Sequence, residues 1–362
     1  MKKICCIIPS LGGGGAERVA FHLLNNLNID RFQLSYITIY EGLDEYEQKL
    51  RTGIEHISLN KKRIRDSIFG IYSALKILKP DIVIVFSFEL MIILGIFIIP
   101  LFKDIYFINR QVNLVSKLGF NRMKLYLIER CINRYRKIIT QSHDMTEDLV
   151  QHIDLNIDRI VEINNPVDEK FIEEMLKEKV NIEYGKESKN LLCVGRLASQ
   201  KGFDLIIKIM KSIAEKNIKL YIIGEGKEKN KLLELIKILR LEDRVFLLGK
   251  KENPYIYMKN ADLFILSSRF EGFPNALIEA NMCGTYAICN DSLGGINEII
   301  REDINGNIVD FLDVEETKKI ILEKLNNINI LDRNKIRMEV QRYTVEKIII
   351  KYEKCIQDCF VK

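Results

Sequence analysis

Several signatures that would settle the chemistry of this 362-residue chain are missing. No GxxxxGK[ST] stretch occurs, which excludes a P-loop nucleotidase. The eight cysteines, Cys5, Cys6, Cys131, Cys193, Cys283, Cys289, Cys355 and Cys359, form no CxxC pair and no Cys/His spacing of a zinc site. They read as reduced cytosolic thiols, with no metal expected. The longest uncharged apolar run, Leu90 to Phe102, has 13 residues, short of the roughly 20 that span a bilayer. The N-terminal ICCII is too short for a signal-peptide core and leads into a glycine run rather than a cleavage site. Lys and Arg number 55 against 50 Asp and Glu, a net charge of +5, too mild for a nucleic-acid binder. Repeats and low-complexity tracts are also absent.

What is present is an alternation of short β-rich apolar runs with helix-period segments, the pattern of parallel sheets with crossover helices. In the first half, strands are expected at 3–8, 33–39, 54–59, 82–86, 105–109 and 137–141, with helices over 16–27, 67–78 and 123–135. In the second half, strands are expected at 190–194, 219–223, 245–248, 263–266 and 286–290. A chain of this length exceeds what one core usually serves, so two doubly wound domains are expected. The Pro turn and charged stretch NNPVDEKFIEEMLKEKVNIEYGKESKN, which begins at Asn164, marks the linker. The resulting division is 1–164, 165–344 and a terminal helix, 345–362, able to pack on either half.

Two loops carry phosphate-binding character. In PSLGGGGAERVAFHLL, glycines 12–15 lie between a strand and a helix, where backbone N–H groups favour an anion. The dinucleotide fingerprint fails, because a GxGxxG read from Gly12 ends on Glu17 and one from Gly13 ends on Arg18. That disfavours a nicotinamide dehydrogenase. In LLCVGRLASQKGFDLII, Arg196 leaves a strand and Lys201 precedes a helix starting near Phe203. An Arg fork and a Lys point charge at the carboxyl end of a parallel strand suit a diphosphate; solvated loop cations are the bland alternative. A third stretch, SSRFEGFPNALIEANMCG, sets Glu271 at a strand end and Glu279 just over one turn into a helix capped by Asn275. Paired carboxylates accept sugar or ribose hydroxyls well, although a loop charge and a solvated helix face would leave the same pattern.

EGFPNALIE resembles the E-x7-E motif of the family 4 glycosyltransferases. GGGGAERV, NPVD, VGRLASQKG, IIGEG and GGINEII with the later NGNIV agree in order and spacing. The resemblance runs over nearly the whole chain and is strongest from Asn165 to Val309. It implies an α/β GT-B fold, two Rossmann-like doubly wound domains facing a central cleft, and a retaining transferase that moves a hexose or N-acetylhexosamine from a nucleotide sugar, UDP-linked by family frequency. The wording of the motifs is most similar to members acting on lipid-linked glycans or on capsular and O-antigen polysaccharide.

Carried residue by residue, the resemblance gives Glu279 the ribose hydroxyls and Glu271 the donor sugar. Arg196 and Lys201 would neutralise the departing diphosphate. The amides from Gly272 through Phe273 and Pro274 to Asn275 would donate around sugar and phosphate, and Gly14 and Gly15 would close over the diphosphate. No Asp-x-Asp occurs, so no metal or other cofactor is expected beside the donor. Where many members place a histidine facing the sugar, this chain has YFINRQVN. Arg110 is assigned there to a charged acceptor, with an ordinary surface arginine as the alternative.

Residues 103–137 hold nine Lys/Arg against two acids, directly after the apolar run Leu90 to Phe102. An anionic membrane surface at the cytoplasmic face, bearing a lipid-diphosphate-linked acceptor, suits that pairing. A buried crossover helix beside a solvated basic face is the other reading. Two other functions fit a similar fold: a sugar-nucleotide epimerase that acts without acceptor, and a non-catalytic regulatory subunit, disfavoured because both glutamates and both cations are kept.

Overall fold

The computed structural model describes residues 1–12, 14–40, 46–185 and 187–360. The chain divides into two compact units, Met1–Pro166 with Val345–Lys362, and Val167–Thr344. The division falls two residues after the expected boundary, and the terminal helix belongs to the first unit.

Unit 1 is built on seven strands, β1 (Lys2–Ile8), β2 (Phe32–Thr38), β3 (Glu55–Ser58), β4 (Ile82–Val85), β5 (Tyr106–Arg110), β6 (Lys137–Thr140) and β7 (Ile160–Glu162). Their order is β3-β2-β1-β4-β5-β6-β7, and every pairing is parallel. Strands covered on both faces read as continuous apolar runs rather than alternating ones, which is why KKICCII and IVIV carry so little polarity. One face, with Ile4, Cys6, Ile84 and Ile108, packs under the helices Gly15–Asn26 and Val345–Asp358. In the terminal helix Val345, Ile348, Ile349, Tyr352 and Ile356 form the buried stripe, a helical period that fixes which side docks. The other face, with Cys5, Ile7, Val83 and Phe107, is covered by Ile68–Leu78, the helical segment from Phe88 to Leu101, and Arg122–Ile132.

Unit 2 repeats the plan with β8 (Lys189–Val194), β9 (Ile218–Ile223), β10 (Val245–Gly249), β11 (Leu263–Leu266), β12 (Ala287–Asn290) and β13 (Gly306–Val309), in the order β10-β9-β8-β11-β12-β13, again all parallel. In each sheet the strand order reverses once, between β1 and β4 and between β8 and β11. Crossovers leave such a point toward opposite faces, and the crevice beyond its carboxyl ends is where open α/β sheets hold ligands. All eight cysteines are free and buried, and burial pushes the Cys5 thiol up to about 12.

Candidate active site

The reversal between β8 and β11 puts the loop Gly195–Gly202 beside the loop Ser267–Pro274. The two are stitched together. Ser267 Oγ donates to the Lys201 carbonyl at 2.9 Å, Gln200 Nε2 donates to the Phe270 carbonyl at 3.0 Å, and the Arg269 N–H donates to the Gln200 carbonyl at 2.8 Å. Gly202 adopts a left-handed conformation, φ 60°, and a Cβ there would lie 2.0 Å from the Ser267 carbonyl oxygen. Only glycine allows both the turn and the close approach. Arg269 grips Asp204 through two bonds of 2.9 and 2.7 Å. Burial acts to raise the Asp204 pKa, but Arg269 and Lys208 together outweigh it and hold the carboxyl below its usual range.

Glu271 and Lys201, 70 positions apart, meet inside this frame. Lys201 Nζ lies 2.6 Å from Glu271 Oε1, which also accepts the Ser268 hydroxyl at 2.5 Å. The Glu271 side chain is 7% exposed and that of Lys201 20%. The lysine stem passes over Gly195, where a Cβ would stand 3.3 Å from Lys201 Cε. On its other side Glu271 is held by the loop after β12: its N–H donates to the Leu293 carbonyl at 2.9 Å, and Gly294, φ 123°, lies so close that a Cβ would fall 2.2 Å from the Glu271 carbonyl oxygen. Asn290 ties the same loops, donating to the Ser268 carbonyl at 3.0 Å and accepting the Phe311 N–H at 2.9 Å. The carboxylate position is therefore fixed by three strand-end loops.

Arg196 is exposed on the same loop and, among the described residues, has no carboxylate partner. The two expected phosphate cations thus differ: Lys201 is already neutralised by Glu271, while Arg196 is available to an incoming anion. Glu279 lies in the helix Asn275–Met282, buried at 8% exposure. With burial as the larger cause, its charge helps push the Cys283 thiol, one helical turn on, up to about 12. That helix begins without a side-chain cap; Asn275 is its first residue rather than the expected cap, and Pro274 holds the cap position. Proline has no N–H, so the amides expected from Gly272 to Asn275 reduce to those of Gly272, Phe273 and Asn275. Phe273 is buried edge-on against Tyr343, ring centroids 5.4 Å apart.

In unit 1 the loop after β1 reaches the helix Gly15–Asn26 through Gly14, which sits at its N-cap with φ −72° and ψ 169°; both Gly14 and Gly15 are exposed. Gly13 lies outside the described residues. Glu17 folds back over this end, its Oε2 2.0 Å from where a Cβ on Gly14 would stand. A carboxylate is favoured at a helix N-terminus, so Glu17 occupies the position an approaching phosphate would seek. Sequence reasoning passed over this residue, whose signal was an acid three positions after the cap.

Arg110 is neither at the surface nor open to an acceptor. Alternation along β5 sends it to the same face as Ile108, the face covered by the terminal helix, and it is 1% exposed. Its Nη2 donates to Asn165 Oδ1 at 2.5 Å, the Phe86 ring lies 6.0 Å away, and its Nε has no hydrogen-bond partner among the described residues. The Tyr352 hydroxyl lies beside the guanidinium and feels its charge, without a hydrogen bond of normal geometry. Around it the carboxyl ends of β5 and β6 carry the buried amides Asn109, Gln111 and Gln141, which no motif announced.

Residues 13–171 match the Glycosyltransferase Family 4 domain and residues 175–340 the Glycosyl transferases group 1 domain. The chain is 30% identical over 335 residues to the N-acetylgalactosamine-N,N'-diacetylbacillosaminyl-diphospho-undecaprenol 4-alpha-N-acetylgalactosaminyltransferase of Campylobacter jejuni, covering 86% of each chain. It is 24% identical to the amylovoran biosynthesis glycosyltransferase AmsD of Erwinia amylovora, over 91% of this chain and 90% of that one. Among solved structures, Anabaena HepE with UDP and glucose superposes with a TM-score of 0.81 at 18% identity, over 99% of this chain and 100% of that one. The two doubly wound units are accordingly the Rossmann-like domains of a GT-B fold, and the chain belongs to the family 4 glycosyltransferases.

Proposed function

We propose that this glycosyltransferase moves a hexose or N-acetylhexosamine from a UDP sugar, with retention and without a metal, to a lipid-diphosphate-linked glycan at the cytoplasmic membrane face. The observation that carries the reading is the buried Lys201–Glu271 pair at the β8/β11 reversal, with Arg196 exposed on the same loop and without a carboxylate partner among the described residues. As the bond between the anomeric carbon and the diphosphate breaks, negative charge grows on the departing phosphate oxygen. Arg196, Lys201 and the amides of Gly272, Phe273 and Asn275 are fixed donors for that charge and do the work a metal would do elsewhere. Glu271 accepts hydroxyls of the sugar, and Glu279 those of the ribose. The acceptor hydroxyl attacks the face the leaving group vacates, and its proton passes to the departing phosphate, so no separate base is assigned. The Campylobacter relative, named for a diphospho-undecaprenol substrate, supports the acceptor class; HepE, solved with UDP, supports the nucleotide.

Thermal unfolding with UDP, GDP and ADP in EDTA tests the donor site. UDP at about 100 times its Kd stabilises by roughly 2.7 kcal/mol, and Glu279→Ala removes that shift. A shift with GDP or ADP and none with UDP overturns the nucleotide; a shift that Glu279→Ala leaves intact overturns the ribose assignment.

A further inference from the structure

The helix Arg122–Ile132 is amphipathic in an unusual way. Its buried side, Ile128, Cys131 and Ile132, packs on unit 1, and where it crosses the preceding helical segment a Cβ on Gly95 would lie 2.8 Å from Cys131 Cβ. Its outer side is not uniformly polar. Met123, Tyr126 and Leu127 are 69%, 52% and 50% exposed, and with Arg130 they follow the spacing i, i+3, i+4, i+7 of a single face. Arg130 Nη1 donates to the Tyr126 hydroxyl at 2.7 Å. Arg122 and Lys124, both exposed, stand roughly 100° to either side of Met123. The helix therefore presents an apolar stripe with a cation on each flank.

None of Arg122, Lys124 and Arg130 has a carboxylate partner among the described residues. Lys124 lies over the Phe120 ring at 5.4 Å. Beyond the helix, exposed Arg134 is spent on the Gly95 carbonyl at 2.5 Å, and Arg136 lies over the Tyr106 ring. By contrast, much of the segment Leu90 to Phe102 is used inside the fold: Leu90, Met91, Leu94 and Ile98 are fully buried, leaving Ile96, Phe97 and Leu101 exposed. No helix among the described residues is long and apolar enough to cross a membrane.

We infer that the outer face of Arg122–Ile132 is a docking surface for an anionic lipid bilayer, with Met123, Tyr126 and Leu127 entering the headgroup layer and Arg122, Lys124 and Arg130 meeting lipid phosphates. Charge decides the occupant. A protein partner could cover the stripe alone, but uncompensated cations on both flanks of an apolar centre match a surface that is negative on all sides of an inserted stripe. The docking deepens the membrane-face reading proposed above, and the exposed stripe with its flanking cations carries it whether or not the acceptor is lipid-linked.

Flotation of the full chain with vesicles of phosphatidylcholine alone, or mixed with phosphatidylglycerol, tests the inference without donor or acceptor. The chain floats with the mixed vesicles, less so as salt rises, and weakly with phosphatidylcholine alone. Arg122→Gln with Lys124→Gln lowers partitioning by about thirtyfold, and Leu127→Glu abolishes flotation. All three positions are exposed, so the unfolding midpoint and any nucleotide-induced shift stay as in the parent chain. Absence of flotation by the parent, or equal flotation of parent and variants, overturns the inference. So does a dimer in solution that Leu127→Glu makes monomeric, which would assign the face to a second copy. A missing UDP shift with flotation intact would instead overturn the donor reading and leave the docking surface standing.

Discussion

The carboxyl edges of the two sheets are built from different chemistry. That of unit 2 is ionic: Lys201, Glu271, Asp204 and Arg269 pair across loops, and Arg196 has no carboxylate partner among the described residues. That of unit 1 is mostly amide, with Asn109, Gln111, Gln141 and Asn165 buried around a lone arginine. Formal charges preorganised in a dry site act strongly on charge that develops in a reaction. Amides recognise hydroxyls and fix geometry at little electrostatic cost. Under the mechanism proposed above, the charges of unit 2 act on the breaking bond, and the buried amides of unit 1 offer groups that recognise hydroxyls.

The largest expected effect breaks the ionic edge. Glu271→Gln keeps the shape but deprives Lys201 of its counterion and the donor sugar of a carboxylate. Turnover should fall by about a thousandfold, while the UDP-induced thermal shift is largely preserved. Arg196→Ala should cost about a hundredfold in turnover, and its loss should appear in kcat rather than in KM, because the charge it meets grows as the bond breaks. Steady-state transfer and ligand-dependent unfolding of both variants provide the check. A Glu271→Gln enzyme that turns over normally would remove the ionic edge from the mechanism.

How much of this could be read from the sequence follows the same divide. The interior strands and the E-x7-E stretch were legible because buried apolar runs and charged loop residues leave local marks. β7 and β13 were not anticipated as strands: they are short sheet edges, one ending in Glu162 and the other opening on Gly306, and neither is the continuous apolar run that marks four-residue interior strands such as IVIV and LFIL. Glu271 and Lys201 were each picked out, but their pairing was not, since only tertiary structure brings together positions 70 apart. Arg110 was misplaced for a related reason. The strand was expected one residue early, at 105–109, which left Arg110 in a loop where β5 in fact includes it, and which face the terminal helix covers is set by a segment more than two hundred residues later.

Acid should separate the two units. All four histidines, His22, His56, His143 and His152, belong to unit 1, and unit 2 has none. His22 is buried in the helix after the glycine loop; loss of solvent, with Arg18 nearby as the lesser cause, lowers its pKa from 6.5 to about 3. Because the folded value lies below the unfolded one, the unfolded chain takes up the proton first. The stability His22 contributes is complete above about pH 6.5 and is lost as pH falls toward 3, at up to about 1.4 kcal/mol per pH unit. The protection factors of the helix Gly15–Asn26, which take out the intrinsic slowing of exchange in acid, should therefore fall between pH 6 and 4 while those of the unit 2 helices hold, and His22→Phe should flatten that dependence. Equal softening of both units would show that carboxylates, not His22, govern the acid limb.

The smallest effect tests why the amide edge keeps its one cation. Arg110 is buried with a single hydrogen bond, an unsatisfied Nε and no carboxylate partner among the described residues, so its burial costs more than its contacts return. Arg110→Met, similar in length and apolar, should raise stability by about 1 kcal/mol. Urea unfolding measures that change, and transfer to acceptor measures its consequence. Higher stability with unchanged transfer would make Arg110 a tolerated tie between β5 and the terminal helix. Higher stability with weakened acceptor use, at unaltered UDP binding, would mean that the Arg110–Asn165 bond holds the amide edge in the form the acceptor needs, and the contrast between the two edges would become one of positioning against direct contact.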